Sequence, residues 1–221
     1  MRTLAIGDIH GCLRSLEALA DYVGFTADDT VVTLGDYVDR GPDSKGVLDF
    51  LIDLAAGVHL VHLMGNHEIM MREALEYGGG TLSWLSVGGR ETLASYGGDA
   101  PDSTPDSHWE FIRSGLPYYE NETHFFVHAN ADSSIPLEHQ PDYELYWQPF
   151  DSPAPHMSGK TMVCGHTSQR FGPPRNLGHA ICIDTNACRG GWLTCLDTDQ
   201  GIYWQTNESG GRRSATLDDL L

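Results

Sequence analysis

Thr3-Leu4-Ala5-Ile6-Gly7-Asp8-Ile9-His10-Gly11 opens the chain with an apolar run that ends in a cluster of polar residues. The same construction comes twice more. Thr30-Val31-Val32-Thr33-Leu34 runs into Gly35-Asp36-Tyr37-Val38-Asp39-Arg40-Gly41, and the mostly apolar stretch 58–64 runs into Gly65-Asn66-His67-Glu68. Each short run fits a strand buried on both faces, delivering polar side chains at its carboxyl end. After the first cluster, Leu13, Leu16, Leu19, Ala20 and Val23 recur at helical spacing; after the second, Val47, Leu48, Leu51, Ile52 and Ala55 line one face of a helix over 44–56. Strand, polar loop and helix in repetition predict a parallel α/β sheet with its functional residues at the strand ends.

Further along, strands are expected at 124–128, 161–164 and 180–184. A hairpin follows over 192–197 and 202–206, turning at Asp199-Gln200-Gly201. Between about 69 and 119 the pattern breaks, with Gly78-Gly79-Gly80, Gly88-Gly89, Gly97-Gly98 and the proline-bounded stretch 101–105. This reads as short helices and loops, a cap inserted mid-chain over the site. Residues 1–208 are therefore expected to form one domain, and 209–221 a polar, loosely attached tail.

Composition narrows the function. The 221 residues carry 13 basic and 31 acidic side chains, a formal charge of −18. A field of that sign repels a nucleic-acid backbone, so an anionic substrate needs a local positive centre, which a metal cluster supplies. Five cysteines, odd in number and without CxxC spacing, argue against a disulfide framework or a structural zinc site. No apolar stretch is long enough to span a bilayer, and a strand that starts at Thr3 leaves no room for a signal peptide. The expectation is a cytoplasmic protein, a monomer, with neither a nucleic acid nor a membrane as partner.

Taken singly, a buried histidine or an Asp-x-His pair is more often structural than a ligand. Here five clusters all fall at predicted strand ends: Asp8-Ile9-His10, Asp36, Asn66-His67-Glu68, His128 and Gly165-His166. Carboxylate, imidazole and amide oxygen together suit two hard or borderline cations. Asp8 and His10 lie two apart on extended chain and point to one side. Asp36 stands where it can bridge, while Asn66, His128 and His166 complete the second ion.

Gly7-Asp8-Ile9-His10-Gly11, Gly35-Asp36-Tyr37-Val38-Asp39-Arg40-Gly41, Gly65-Asn66-His67-Glu68, His128-Ala129-Asn130 and Gly165-His166-Thr167 resemble the motifs of the calcineurin-like metallophosphoesterases. More narrowly they resemble the phosphoprotein phosphatase branch, which holds bacterial and phage serine/threonine phosphatases and symmetrical diadenosine tetraphosphatases. The resemblance implies a metallophosphoesterase fold, a central β-sandwich of mixed sheets flanked by helices. It also implies a metal-bridging hydroxide as nucleophile, with His67 protonating the leaving oxygen, Asp39 orienting His67 and Arg40 gripping the phosphate. Manganese is the first expectation for the two divalent ions, with iron, zinc or magnesium as alternatives.

Two positions depart from such enzymes. Ser168 stands where the wider superfamily's nucleases often place an extra histidine ligand, which leaves the first ion three protein ligands and counts against a nuclease. Gln148, after Trp147, stands where a second phosphate-binding arginine is common; Arg72, Arg90 and Arg170 are candidates to replace it. Asn130 takes the place of a usual glycine, where a left-handed backbone would be tolerated. The leading expectation is a serine/threonine phosphatase-like phosphomonoesterase acting on phosphoprotein or small phosphoesters. A symmetrical dinucleoside tetraphosphate hydrolase is the alternative, and an inactive phosphate-binding module comes last. With only Arg72, Arg90 and Arg113 as its basic residues, the mid-chain insert leans toward the monoesterase.

Overall fold

The computed structural model describes residues 1–98, 104–170 and 172–220. Part of the proline-bounded stretch (101–103) and Leu221 lie outside them. The first sheet is built on β1 (Thr3–Ile6), β2 (Thr30–Thr33) and β3 (His59–His62), which run parallel in the order of the chain. It is not parallel throughout. The hairpin β9 (Leu193–Asp197) and β10 (Ile202–Thr206) joins antiparallel on the far side of β1. Beyond it lies β11 (Arg212–Thr216), giving the order β11-β10-β9-β1-β2-β3.

β11 corrects the expected tail. Its residues are polar because an edge strand meets solvent, so composition alone hides the backbone ladder that runs from Ile202↔Thr216 to Thr206↔Arg212.

The second sheet has the order β4-β5-β6-β8-β7. Its members are β4 (Tyr118–Glu120), β5 (His124–Val127), β6 (Thr161–Cys164), β7 (Arg175–Asn176) and β8 (Ala180–Cys182). Parallel pairs β5·β6 and β6·β8 are flanked by antiparallel β4 and β7, so both sheets are mixed. The strands β4 and β7, two or three residues long, leave no periodicity to read.

Period-two alternation sorts the core. Ala5, Val32, Leu34 and Val61 of the first sheet meet Phe126, Val163 and Ile181 of the second in one buried layer. Leu4, Ile6 and Val31 point the other way, against helices α1 (Leu13–Val23) and α2 (Ser44–Leu54). Phe125, Val127, Met162 and Cys164 fill a third cluster on the outside of the second sheet. Both faces are covered, which is why these strands read as unbroken apolar runs.

The insert is helical: α3 (Asn66–Leu75), α4 (Thr81–Trp84), α5 (Arg90–Ser95) and α6 (Asp106–Arg113). It is shorter than expected, since β4 already belongs to the second sheet. A wide π-type turn, Leu85–Gly89, joins α4 to α5. Within the insert α6 docks on α2, where His108 bridges Tyr96 (2.7 Å) and Asp49 (2.9 Å). A last short helix, α7 (Asp142–Tyr146), follows β5.

Candidate active site

The loops after β1, β2, β3, β5 and β6 converge at one end of the sandwich. Backbone bonds fasten the first two together: the Asp36 carbonyl accepts from the N–H groups of Ile9 (3.1 Å) and His10 (2.8 Å). Glu68, at the start of α3, fastens the next. Its carboxylate accepts from the N–H groups of Asp36 (2.9 Å), Tyr37 (2.8 Å), Val38 (3.2 Å) and Gly65 (3.0 Å). That is a structural role. Gly35 lets these loops touch, with φ +94 and a position where a Cβ would lie 2.6 Å from the Gly65 nitrogen.

Among the described residues, six outside glycine adopt positive φ, and five of them are His10, Asp36, Asp39, Arg40 and His166. Such backbone costs on the order of 1 kcal/mol or more per residue and persists where its surroundings enforce it.

Asp36, fully buried, is shared by two groups of potential ligand atoms. One comprises His10, Asp36 and His67; the other comprises Asp36, His128 and His166. His10 donates from Nδ1 to the Val38 carbonyl (2.9 Å), which leaves Nε2 unprotonated 3.3 Å from Asp36 Oδ2. His128 donates from Nδ1 to the Leu34 carbonyl (2.8 Å). Its Nε2 then faces Asn66 Oδ1 (2.9 Å) and Asp36 Oδ1 (3.4 Å), lone pair against lone pair. His166 Nδ1 comes within 3.1 Å of the same Asn66 oxygen. Facing acceptors such as His128 Nε2 and the oxygens of Asn66 and Asp36 are an arrangement that a cation resolves, and the carbonyl partners on the far ring nitrogens of His10 and His128 are typical of metal-binding histidines.

Electrostatics agree. Burial pushes the His10 imidazole down to about 3, and burial together with His128 brings His166 to about 4, so both stay neutral as ligands must. Burial alone would raise the Asp36 carboxyl, but the surrounding imidazoles, His128 foremost, hold it below the usual range.

Asp8 sits apart from both groups. Its two oxygens accept from the His166 N–H at 3.0 and 3.1 Å, and a Cβ on Gly165 would collide with one of them. Burial first, then Asp184 and Asp36, raise its carboxyl well above the ordinary range. Ser168, where an extra histidine was sought, donates instead to Asp184 (2.7 Å).

His67 is buried with Nδ1 2.7 Å from Asp39 Oδ2. Burial lowers its pKa, but the carboxylates of Asp36 and Asp39 outweigh that and raise it above the usual histidine value. Asp39 is fixed in turn by Trp84 Nε1 (2.9 Å) and Thr92 Oγ1 (2.7 Å). Sequence reasoning missed these two partners. Trp84 reads as a core residue, which it also is, and nothing in the spacing ties position 84 or 92 to position 39.

Arg40 donates from Nη1 to His10 Nε2 (2.6 Å) and lines an open groove of about 530 Å³. Of the arginines considered as partners for it, Arg90 lines the same groove. Arg72 is paired with Glu76 (3.0 Å), and Arg170 is exposed outside the groove. Asn130 does not adopt the left-handed backbone allowed for it; its amide donates to the Pro149 carbonyl (3.2 Å) instead.

The histidines of the third strand and of position 179 lie outside the cluster. His62 stacks on Phe111 with ring centroids 4.0 Å apart, His179 bonds to the Pro153 carbonyl (2.8 Å), and exposed His59 meets only Thr30 (3.3 Å). Burial raises the Cys12 thiol far above its ordinary range, which excludes it as a nucleophile at neutral pH.

Residues 1–171 match the family described as calcineurin-like phosphoesterase. The symmetrical bis(5'-nucleosyl)-tetraphosphatase of Proteus mirabilis (strain HI4320) is 47% identical over 70 residues, covering 31% of this chain and 25% of that protein. The enzyme of the same name from Pseudomonas fluorescens (strain SBW25) is 34% identical over 132 residues, covering 58% and 43%. The chain thus spans between a quarter and under half the length of these relatives. Among solved structures, one provisionally assigned as a diadenosine tetraphosphatase superposes with TM-score 0.71 at 22% identity, covering 97% of this chain and 93% of that one. A cold-active protein-tyrosine phosphatase from a psychrophilic Shewanella gives TM-score 0.69 at 19% identity, covering 96% and 80%. At such identities the structures establish the fold. No described helix is long and apolar enough to cross a membrane.

Proposed function

The chain belongs to the calcineurin-like phosphoesterase family, and from that premise we propose that it is a two-metal phosphoester hydrolase that cleaves dinucleoside tetraphosphates symmetrically. The observation that carries the reaction class is Asp36, shared between two groups of nitrogen and oxygen atoms close enough together to hold a metal ion each. His10, Asp36 and Asp8 would hold one ion, and Asp36, Asn66, His128 and His166 the other. When bound, the ions supply a nucleophile from water at neutral pH and offset the charge that develops at phosphorus.

The chain's own residues do the rest. Arg40 presents forked donors to the phosphate oxygens. His67 carries the proton that the leaving oxygen takes. Asp39 fixes the His67 tautomer through Nδ1 and favours its protonated form, with Trp84 and Thr92 holding Asp39 still. Asp8 stands against the His166 backbone N–H, beside the two donor groups.

The substrate reading draws on the relatives, which are named as symmetrical tetraphosphatases. A phosphoserine or phosphothreonine monoesterase is the second reading. It is supported by the mid-chain insert, in which Arg72 and Arg113 both bond to Glu76 and so are spent within the protein.

Manganese-loaded protein offered diadenosine tetraphosphate, a phosphoserine peptide and p-nitrophenyl phosphate decides between them. The expected result is ADP as the single nucleotide product, a higher kcat/KM on the dinucleotide than on the peptide, and loss of all activity with a chelator. Preference for the peptide would replace the first reading by the second; inertness toward all three would end both.

A further inference from the structure

The groove beside Arg40 is lined from two unrelated parts of the chain. The turn Leu85–Gly89 and the start of α5 supply Ser86, Gly88 and Arg90, while Arg189 comes from the 3-10 turn Ala187–Arg189 that follows the second sheet. Gly88 sets the first wall. It holds φ +130, its carbonyl accepts from the Arg40 N–H (3.2 Å), and a Cβ there would lie 2.5 Å from that nitrogen. The wall therefore packs directly on the arginine that touches His10.

Arg40, Arg90 and Arg189 line this groove with Glu91 as the one carboxylate, so it is locally positive on a chain of net charge −18. The side chains of Arg90 and Arg189 make no hydrogen bond or ion pair with any other described residue, and both are exposed. Three other arginines are neutralised, Arg2 by Asp29 and Arg72 and Arg113 by Glu76, while the exposed Arg14 and Arg170 lie outside this groove. Two guanidinium groups with no described partner line one concavity, next to the arginine at the metal-ligand cluster, and offer forked donors to an anion from outside.

We propose that Arg90 and Arg189 form a second phosphate subsite beside the metal centre, which takes the pyrophosphate-linked phosphate next to the one attacked and so makes the enzyme prefer nucleotide polyphosphates to simple monoesters. This rests on the hydrolase reading above and deepens it. The groove has room for more than a single phosphate, about 530 Å³, and begins at the residue that would grip the scissile group.

The test uses full-length, manganese-loaded protein and the R90Q/R189Q double variant, which alters two exposed side chains without internal partners. Inhibition of p-nitrophenyl phosphate hydrolysis is measured with inorganic phosphate, which reaches the metal centre only, and with ADP, which reaches both positions. The double variant should raise the inhibition constant of ADP roughly ten- to a hundredfold, leave that of phosphate within about twofold, and keep kcat on the aryl phosphate. Each single variant should show part of the ADP effect.

Unchanged ADP inhibition in the double variant overturns the proposal. So does a parallel rise for phosphate and ADP, which would place both arginines at the scissile group. Weakened binding of a phosphopeptide rich in acidic residues, with ADP unaffected, also overturns it and marks the groove as a peptide site. If wild-type protein hydrolyses nothing, the hydrolase reading fails by itself, and calorimetric ADP binding by wild type and double variant still decides the subsite by the same criterion.

Discussion

His67 has a hydrogen-bond partner on one ring nitrogen and the reaction space on the other. Its Nδ1 is tied to Asp39, and Nε2 lies 4.0 Å from Asp36. A proton donor matters most where the leaving group is a poor one. His67→Asn should therefore lower kcat about a hundredfold or more on a phosphoserine peptide, and clearly less on p-nitrophenyl phosphate, whose leaving group departs as a stable anion. Metal content should be unchanged. Loss of metal in that variant would instead make His67 a ligand, which its place in one of the two donor groups keeps testable. At this scale the sequence was legible wherever chemistry repeats a short pattern. His10, Asp36, Asn66, His128 and His166 do come together, because each follows a strand end closely enough for spacing to locate it. Trp84, Thr92 and Arg189 were not legible, since their roles come from contacts between segments far apart in the chain.

Among the elements, β1 and β2 owe their common start to one buried carboxylate. Asp29 accepts from Arg2 Nε (3.0 Å) and from the Thr26 N–H (2.9 Å) and hydroxyl (3.1 Å), joining the residue before β1 to the residue before β2. The hydrogen bond from Arg2 is the main reason its carboxyl lies below the ordinary carboxylate range, against the opposing effect of burial. A depressed carboxyl stabilises the fold above its unfolded pKa, here the ordinary 3.8, and that contribution fades as pH falls through the folded value. Asp29→Asn should thus lower stability at pH 7 by about 1–2 kcal/mol, a few degrees in Tm for a chain of this size. Thermal unfolding of both proteins at pH 7 and pH 3 should show that gap and then its narrowing; a constant gap would assign the effect to packing. Elements were legible in proportion to their apolar content. β1, β2 and the hairpin β9–β10 match their expected spans closely because both faces or alternating positions are buried. β11 is not legible in the sequence because its backbone, not its side chains, does the pairing.

For the whole molecule, the outline of three strand–loop–helix units was readable, but not that the hairpin would extend the first sheet antiparallel. That placement depends on register between residues nearly two hundred apart, such as Leu4↔Asp197. The sandwich brings five loops to one end, and an acidic chain there concentrates four imidazoles, the buried Asp36 and three arginines. Cations held by the donor groups would add to the pull of these arginines on an anionic substrate. The most direct measurement titrates chelator-stripped protein with manganese and follows bound metal and phosphoester hydrolysis together. The account predicts saturation at about two ions per chain, with activity rising to its plateau as the second binds. Full hydrolysis in the presence of chelator, or saturation with fewer than two ions at full activity, would contradict it.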